Sequence, residues 1–511
     1  MSPQTLLARL EDRLDILKSG ARDLPARQQT MREAIGWSYD LLSDDEKRLF
    51  ARLAVFAGGC TLDAAETVCG RVAGARPLDV FENLSALVDK SLLVYEDAPA
   101  DGNGEPRFRL LQTIRDYARE KLLDAGEINT LQRQHADYFT QLAEIAEPHF
   151  TAPDRAGYIH RVETELDNIR AALKWSTTVD GDHALGARLA GSLAWFWFLR
   201  GHLTEGRTWL ESAVACLSAE EALEIWRAKA LYGASGLAWA QGDYGPARRY
   251  ALESMAIFKE RGERLWSARA SMCLSLVALG QADADLARQA SESAVQVFRQ
   301  LGDRWHEAFV TRALGDVALL LDDATGAQAK YEESLALWRS LDDPWGLAMP
   351  LNDLGRVASV RGDFAAAQRH YRESVRLFKQ VDNRWMLALA QVGYAYVLLN
   401  LDDLAAARQA FVDALTLWRE LGNRTGLIQC VVGFGGLAAR QHQMERAARL
   451  LGAADSLFAS IGFALEGTTG VEFQRNLELA RSQTDPAEFE AAWRNGQALT
   501  LAEAVELALA D

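Results

Sequence analysis

The residues in this chain that could carry chemistry are numerous, but their spacing argues against it. Eight histidines are dispersed, with no HxH, no HExxH and no Cys/His ligand spacing, so no pattern matches a zinc site. A lone histidine on a helix, such as His370, reads as a solvated or core residue. Neither a GxSxG nucleophile elbow nor a GxGxxG dinucleotide loop occurs. Gly433, Gly435 and Gly436 in VVGFGGLAA read as sites of close helix packing, not as a phosphate cradle. The acid pairs Asp322-Asp323, Asp342-Asp343 and Asp402-Asp403 sit between helical stretches, where helix punctuation and capping explain them better than general acid–base work. What remains is recognition by polar side chains. Arg312, Asp316, Asn352, Arg356, Tyr396 and Gln429 form a mixed-charge set on helical stretches. Such a set could hold a peptide segment, a partner helix or a polar small effector. It requires no cofactor and no metal. Within LAWFWFL, Trp195, Phe196, Trp197 and Phe198 cannot all face one side of a helix, so some must be core.

The 511 residues are 49% hydrophobic and 25% charged, enough to bury a sizeable core and incompatible with disorder. A formal net charge of -16 disfavours broad contact with nucleic acid or anionic membrane, which needs a basic footprint. Five cysteines, Cys60, Cys69, Cys216, Cys273 and Cys430, are scattered without a CxxC pair and read as reduced thiols of a cytoplasmic protein. The N-terminus mixes acids and bases into its apolar positions, unlike a signal peptide. No apolar run approaches the roughly 18 residues of a membrane span.

The elements that position the polar set come from a period of 40. Large apolar residues recur at Phe258, Phe298, Trp338, Phe378, Trp418 and Phe458. Alanine recurs at Ala247, Ala287, Ala327, Ala367, Ala407 and Ala447. Small residues recur at Ser254, Ala294, Ser334, Ser374, Ala414 and Ala454. A period of this size means stacked supersecondary units. Each unit reads as two helices; in 304–342, Phe309, Ala313, Val317 and Leu320 mark the first and Ala327, Tyr331, Ser334, Leu335 and Trp338 the second. The small columns allow close helix approach, and the aromatic columns fill the space between units. Gly315, Ala327, Tyr331 and Ser334, and again Gly355, Ala367, Tyr371 and Ser374, resemble the tetratricopeptide pattern. That resemblance implies a superhelix with the first helix of each unit lining its concave face, where the six polar residues would point. The period exceeds the usual 34, implying a longer second helix or loop.

The first 150 residues lack this period. Ser43 and Glu46 form a capping box ahead of a helix, TLDAAETVC (61–69) is a second helix, and 78–90 a third. LLVYED (92–97) and RFRLL (107–111) alternate and pair as a hairpin, and 112–126 is helical again. Three helices and a hairpin are a winged-helix order. Residues 1–150 hold 18 Lys+Arg against 25 Asp+Glu. The third helix carries Asp79, Glu82 and Asp89 beside Lys90, a face that phosphate would repel. DNA binding by this module is therefore disfavoured.

Residues 23–69, together with FRLLQTIRDYAREKL (108–122), VETELDNIRAALKW (162–175) and GHLTEGRTWLESAV (201–214), resemble bacterial signal-transduction ATPases with numerous domains. The likeness is strongest to their "predicted ATPase" and LuxR-type regulators. The resemblance implies a nucleotide-hydrolysing core before the winged helix, a repeat sensor after it and, in some members, a terminal DNA-binding helix-turn-helix. A phosphate loop needs GxxxxGK[ST], and no Gly-Lys dipeptide occurs in this sequence. The expectation is a C-terminal part of such a regulator lacking the NTPase core, with any nucleotide switch acting in trans.

The expected layout is mainly α: a helical remnant over 1–42, a winged-helix-like module over 43–126 and a helical linker with degenerate repeats over 127–225. Tetratricopeptide-like repeats then cover 226–462 and a helical cap 463–511. The expected function is a non-catalytic sensor or scaffold binding a protein partner or effector. The alternative is a fragment of an ATP-dependent transcription regulator whose P-loop domain lies upstream.

Overall fold

The computed structural model describes residues 31–72, 74–98, 105–152, 154–217, 223–460 and 467–510. These form two compact units, one reaching Glu263 and the other running from Arg264 onward and including Leu199–Gly201.

The first unit opens with α1 (Met31–Asp40), α2 (Asp44–Arg52), α3 (Leu62–Cys69) and α4 (Val80–Asp89). Strands β1 (Val94–Glu96) and β2 (Arg107–Arg109) follow as an antiparallel hairpin, with Tyr95 opposite Phe108. Then come α5 (Gln112–Asp124), α6 (Ile128–Ala146) and α7 (Leu166–Ser176). The winged-helix order read from the sequence is present. Ser43 and Glu46 close the expected capping box, Ser43 N donating to Glu46 at 2.7 Å and Glu46 N to Ser43 Oγ at 3.3 Å. Thr61 and Asp79 cap α3 and α4. Leu49, Phe50, Leu84, Leu87, Ala118 and Leu122 form the core between these helices. Of the helical remnant expected over 1–42, residues 1–30 lie outside the described residues. The unit ends with the helix pair Glu224–Ala240 and Tyr244–Glu260.

The second unit stacks helix pairs: α8 (Arg264–Gly280) with α9 (Ala284–Leu301), α10 (Arg304–Leu320) with α11 (Ala324–Leu341), and α12 (Pro344–Val360) with α13 (Phe364–Gln380). Next come α14 (Arg384–Asn400) with α15 (Leu404–Glu420), and α16 (Arg424–Arg440) with α17 (Met444–Ser460). The chain ends in α18 (Gly467–Ser482), α19 (Pro486–Gln497) and α20 (Leu501–Leu509).

The turns explain the period. A left-handed residue recurs every twentieth position: Gly242, Gly262, Ala282, Gly302, Asp322, Asp342, Gly362, Asp382, Asp402, Gly422 and His442. Glycine meets no penalty there, and aspartate tolerates this region better than most residues. The next position caps the following helix: Asp283, Asp303, Asp323, Asp343, Asp363, Asn383, Asp403 and Asn423 each accept from a backbone amide two or three residues on. Each acid pair thus divides its labour, the first residue turning the chain and the second starting the helix. The period of 40 is two half-periods of 20, with both helices of a unit 17 or 18 residues long. The added length does not sit in the second helix or its loop alone, as the sequence had suggested.

Packing follows the columns. Ser254, Ser334 and Ser374 each donate to a carbonyl 26 residues earlier on the partner helix, that of Ala228, Ala308 or Ala348, at 2.8 Å. A Cβ on Gly315 would lie 2.5 Å from Tyr331, and one on Gly355 2.8 Å from Tyr371. Trp338 and Trp418 are buried against Gly346 and Gly426 at the start of the following unit, so the aromatic column does join neighbouring units. Gly433 faces Phe411, Gly435 faces Leu451 and Gly436 faces Asn476, the close packing that their sequence suggested. Near the end, α19 crosses α17 at Gly452 and Gly496, each meeting backbone of the other helix.

Candidate functional site

Helices α10 and α12 are equivalent first helices of neighbouring units. Their 17 residues place i, i+4 and i+8 on one face. Arg312, Asp316 and Leu320 share such a face on α10, and Asn352, Arg356 and Val360 share the equivalent one on α12. Because the period is 40, Asp316 and Arg356 occupy one column with opposite charge.

The structure brings three of the six expected residues into one network. Arg312 Nη1 contacts Asp316 Oδ2 at 3.1 Å and Asp353 Oδ2 at 2.9 Å. Arg356 Nη2 contacts Asp316 Oδ1 at 2.6 Å and Asp353 Oδ1 at 3.3 Å, and Tyr331 OH at 3.0 Å. Tyr331 on α11 donates to Asp316 Oδ1 at 2.7 Å. Two arginines and two aspartates make the cluster neutral. Arg312 and Asp353 are 13% and 7% exposed, whereas Arg356 is 36% exposed.

Burial pushes both carboxyls up. At Asp316, Arg312 and Arg356 outweigh burial and hold the group below its ordinary range. At Asp353, burial with repulsion from Asp316 outweighs Arg312, so the group sits above it. Burial and the two aspartates also push Tyr331 upward. Every carboxylate of the cluster is engaged by an arginine.

The other expected residues are placed apart from this network. Asn352 is half-buried on α12, its Oδ1 enclosed without a hydrogen bond. Tyr396 is a correction: it is 2% exposed, packs edge-on against Phe411 and donates to the Gln429 carbonyl at 3.0 Å. Its apolar ring belongs to the core and its hydroxyl is already spent. Gln429 is half-buried. Sequence reasoning missed Asp353 and Tyr331. Asp353 stands at i−3 from Arg356, a legible ion-pair spacing, but Tyr331 was counted as a packing aromatic. Leu320 and Val360, 39% and 65% exposed, were also missed as members of this face.

Elsewhere, Phe196 and Trp197 are buried, and Trp195 Nε1 donates to Tyr232 OH at 3.0 Å. His370 is half-buried, and burial lowers its pKa. Among the described residues no three His, Cys, Asp or Glu side chains gather as metal ligands would, and no helix is long and apolar enough to cross a membrane.

In the winged-helix module, Asp79, Glu82 and Asp89 are exposed on or beside α4. The cations of the hairpin are committed: Arg107 binds Glu165 and the Gly58 and Gly59 carbonyls, and Arg109 binds Glu96. Asn168 accepts from Ala57 N at 2.8 Å and donates to Gly59 O at 2.9 Å and Glu165 at 2.7 Å. Arg115 reaches the Ala54 and Ala57 carbonyls. Residues 54–59, Arg107, Arg115, Glu165 and Asn168 therefore meet at one packing junction. Gly59 is required there: its φ is +80° and a Cβ would lie 2.8 Å from Phe108 O.

Comparison with known proteins agrees with both halves. A winged helix-turn-helix domain family matches residues 42–123, and a tetratricopeptide repeat family matches residues 307–380. A Mycobacterium tuberculosis protein named "Putative HTH-type transcriptional regulator" is 42% identical over 213 residues, 42% of this chain and 23% of that protein. The match thus spans about a quarter of that relative. An uncharacterised Mycobacterium bovis protein is 34% identical over 145 residues, 28% of this chain and 36% of its own length. Among solved structures, a signal-transduction ATPase with a tetratricopeptide repeat sensor from Pyrococcus horikoshii aligns at TM-score 0.46 and 13% identity, over 96% of this chain and 71% of its own. A Rap protein complexed with Competence and Sporulation Factor aligns at TM-score 0.46 and 12% identity, over 70% of this chain and 99% of its own.

Proposed function

We propose that this chain is a non-catalytic sensor or scaffold in transcriptional or signal regulation, binding a protein partner or effector on the first-helix face of its repeats. The observation that carries this reading is the half-open charged network Arg312–Asp316–Asp353–Arg356. It sits on the same face as exposed Leu320 and Val360. A mixed polar and apolar strip on a stacked-helix scaffold suits reversible recognition. The acidic α4 and the engaged hairpin arginines favour a regulatory packing role for the winged-helix module over groove reading in DNA.

The test is affinity capture from cytosol with the whole chain as bait, read by mass spectrometry. Val360→Glu is the informative variant, because Val360 is exposed and lies outside the ion network. Reversing Arg312 or Arg356 to glutamate would crowd carboxylates and unfold the face. Loss of the captured partner in Val360→Glu supports the reading, whereas a capture profile identical to wild type refutes it.

A second reading, a segment of a longer ATP-dependent transcription regulator, is favoured by the match to 23% of a regulator-like protein. In-frame coding sequence for GxxxxGK[ST] upstream supports it, and its absence refutes it.

A further inference from the structure

We infer that the first-helix face receives its partner as an amphipathic α-helix, seated beside the chain's own α18. This inference rests on the binding face proposed above and names the partner's chemistry.

The chain already seats a helix on the continuation of this face. The column through Asp316 and Arg356 continues at Tyr396 on α14 and Gly436 on α16; the column through Leu320 and Val360 continues at Asn400. There α18 packs on α16 and α17 and reaches the end of α14 through side chains. Asn400 Nδ2 donates to Glu472 at 2.9 Å, and Arg475 donates to Asn400 Oδ1 at 2.7 Å. Asn476 lies against Gly436, where a Cβ would sit 2.3 Å from its amide nitrogen. Phe473, Leu477 and Ala480 of α18, at i, i+4 and i+7, join the core cluster of α14–α17. A helix with one apolar ridge and flanking polar groups is what this surface accepts.

On α10 and α12 the same face keeps exposed side chains. There the Asn400 column presents Leu320 and Val360, both exposed, and the next column presents Asp316 and Arg356. Two apolar contacts beside this internally paired, neutral cluster fit the apolar ridge of a helix, with residues at i, i+3 or i+4 and i+7.

The test is selection of a displayed library of random 16-residue peptides on the full chain, with Val360→Glu and Leu320→Glu as face variants. Arg372→Glu, an exposed α13 position, is the control, and circular dichroism verifies folding of each. The expected result is peptides with helical apolar spacing and no internal proline. They should bind Val360→Glu at least tenfold more weakly and Arg372→Glu unchanged, and gain helical signal on binding. Selected peptides with internal prolines, lost in Val360→Glu, overturn the helical partner while leaving the binding face intact. Binders indifferent to both face variants, or none at all, overturn both.

Discussion

Removing Arg312 tests the charged network most directly. Arg312 Nη1 serves both Asp316 and Asp353. Arg312→Met keeps most of the side-chain volume but leaves two carboxylates for Arg356 alone. Breaking a buried ion cluster from one side costs about 3–5 kcal/mol, because the remaining charge stays buried. The partial exposure of Arg356 places the expectation near the lower end, about 3 kcal/mol. Arg312→Met with Asp353→Leu restores neutrality and leaves Asp316 held by Arg356 and Tyr331; its cost should fall to about 1 kcal/mol or less. Stacked repeats open locally, so the assay is native-state hydrogen exchange of α10 and α12 amides, alongside urea midpoints. The pH dependence has a definite sign. Asp353 is already raised above its unfolded value, and loss of Arg312 raises it further. A carboxyl raised in the folded state gains stability as pH falls through its folded value. The Arg312→Met deficit should therefore shrink as pH falls toward the carboxylate range. A deficit equal in the single and double variants, or one that does not shrink on acidification, would refute the electrostatic account and leave lost packing in its place.

Other outcomes follow from the same structure. Gly315→Ala should cost roughly 1–3 kcal/mol by overpacking against Tyr331, as should a bulky residue at Ala367; calorimetry with urea midpoints checks both. Asp403→Ala removes the α15 cap and should cost about 1 kcal/mol, seen as faster exchange in its first turn. His135 and His306, buried neutral with pKa lowered to about 4 chiefly by burial, should make stability fall as pH drops from about 6.5 toward 4. His306→Phe should flatten that slope for the second unit in acid-titrated unfolding. No ATP turnover above a blank is expected from the purified chain, and an alanine variant that abolishes any turnover would sink this. A labelled duplex should not be retained at about 150 mM salt.

The repeat was legible in the sequence because each column meets a local demand that few residues satisfy. The turns favour glycine or aspartate for a left-handed backbone, with Ala282 and His442 the departures, the next position favours a short acceptor to start a helix, and the helix crossings need small residues. These demands recur every 20 residues and are written into the chain regardless of its overall fold. The winged-helix order was legible for similar reasons, from the Ser43–Glu46 box and the alternation of the hairpin. The binding face was legible only in part. Helical spacing placed Arg312, Asp316 and Arg356 on one surface, but it could not say that α10 and α12 approach closely enough for their charges to pair. Nor could it say that Asp353 and Tyr331 complete the pairing. Tyr396 shares the column of Arg356 and yet is core, because α18 folds back over that end of the row. Sequence period determines which residues share a face; only tertiary packing decides which part of that face is covered and which stays open, since burial depends on residues far apart in the chain.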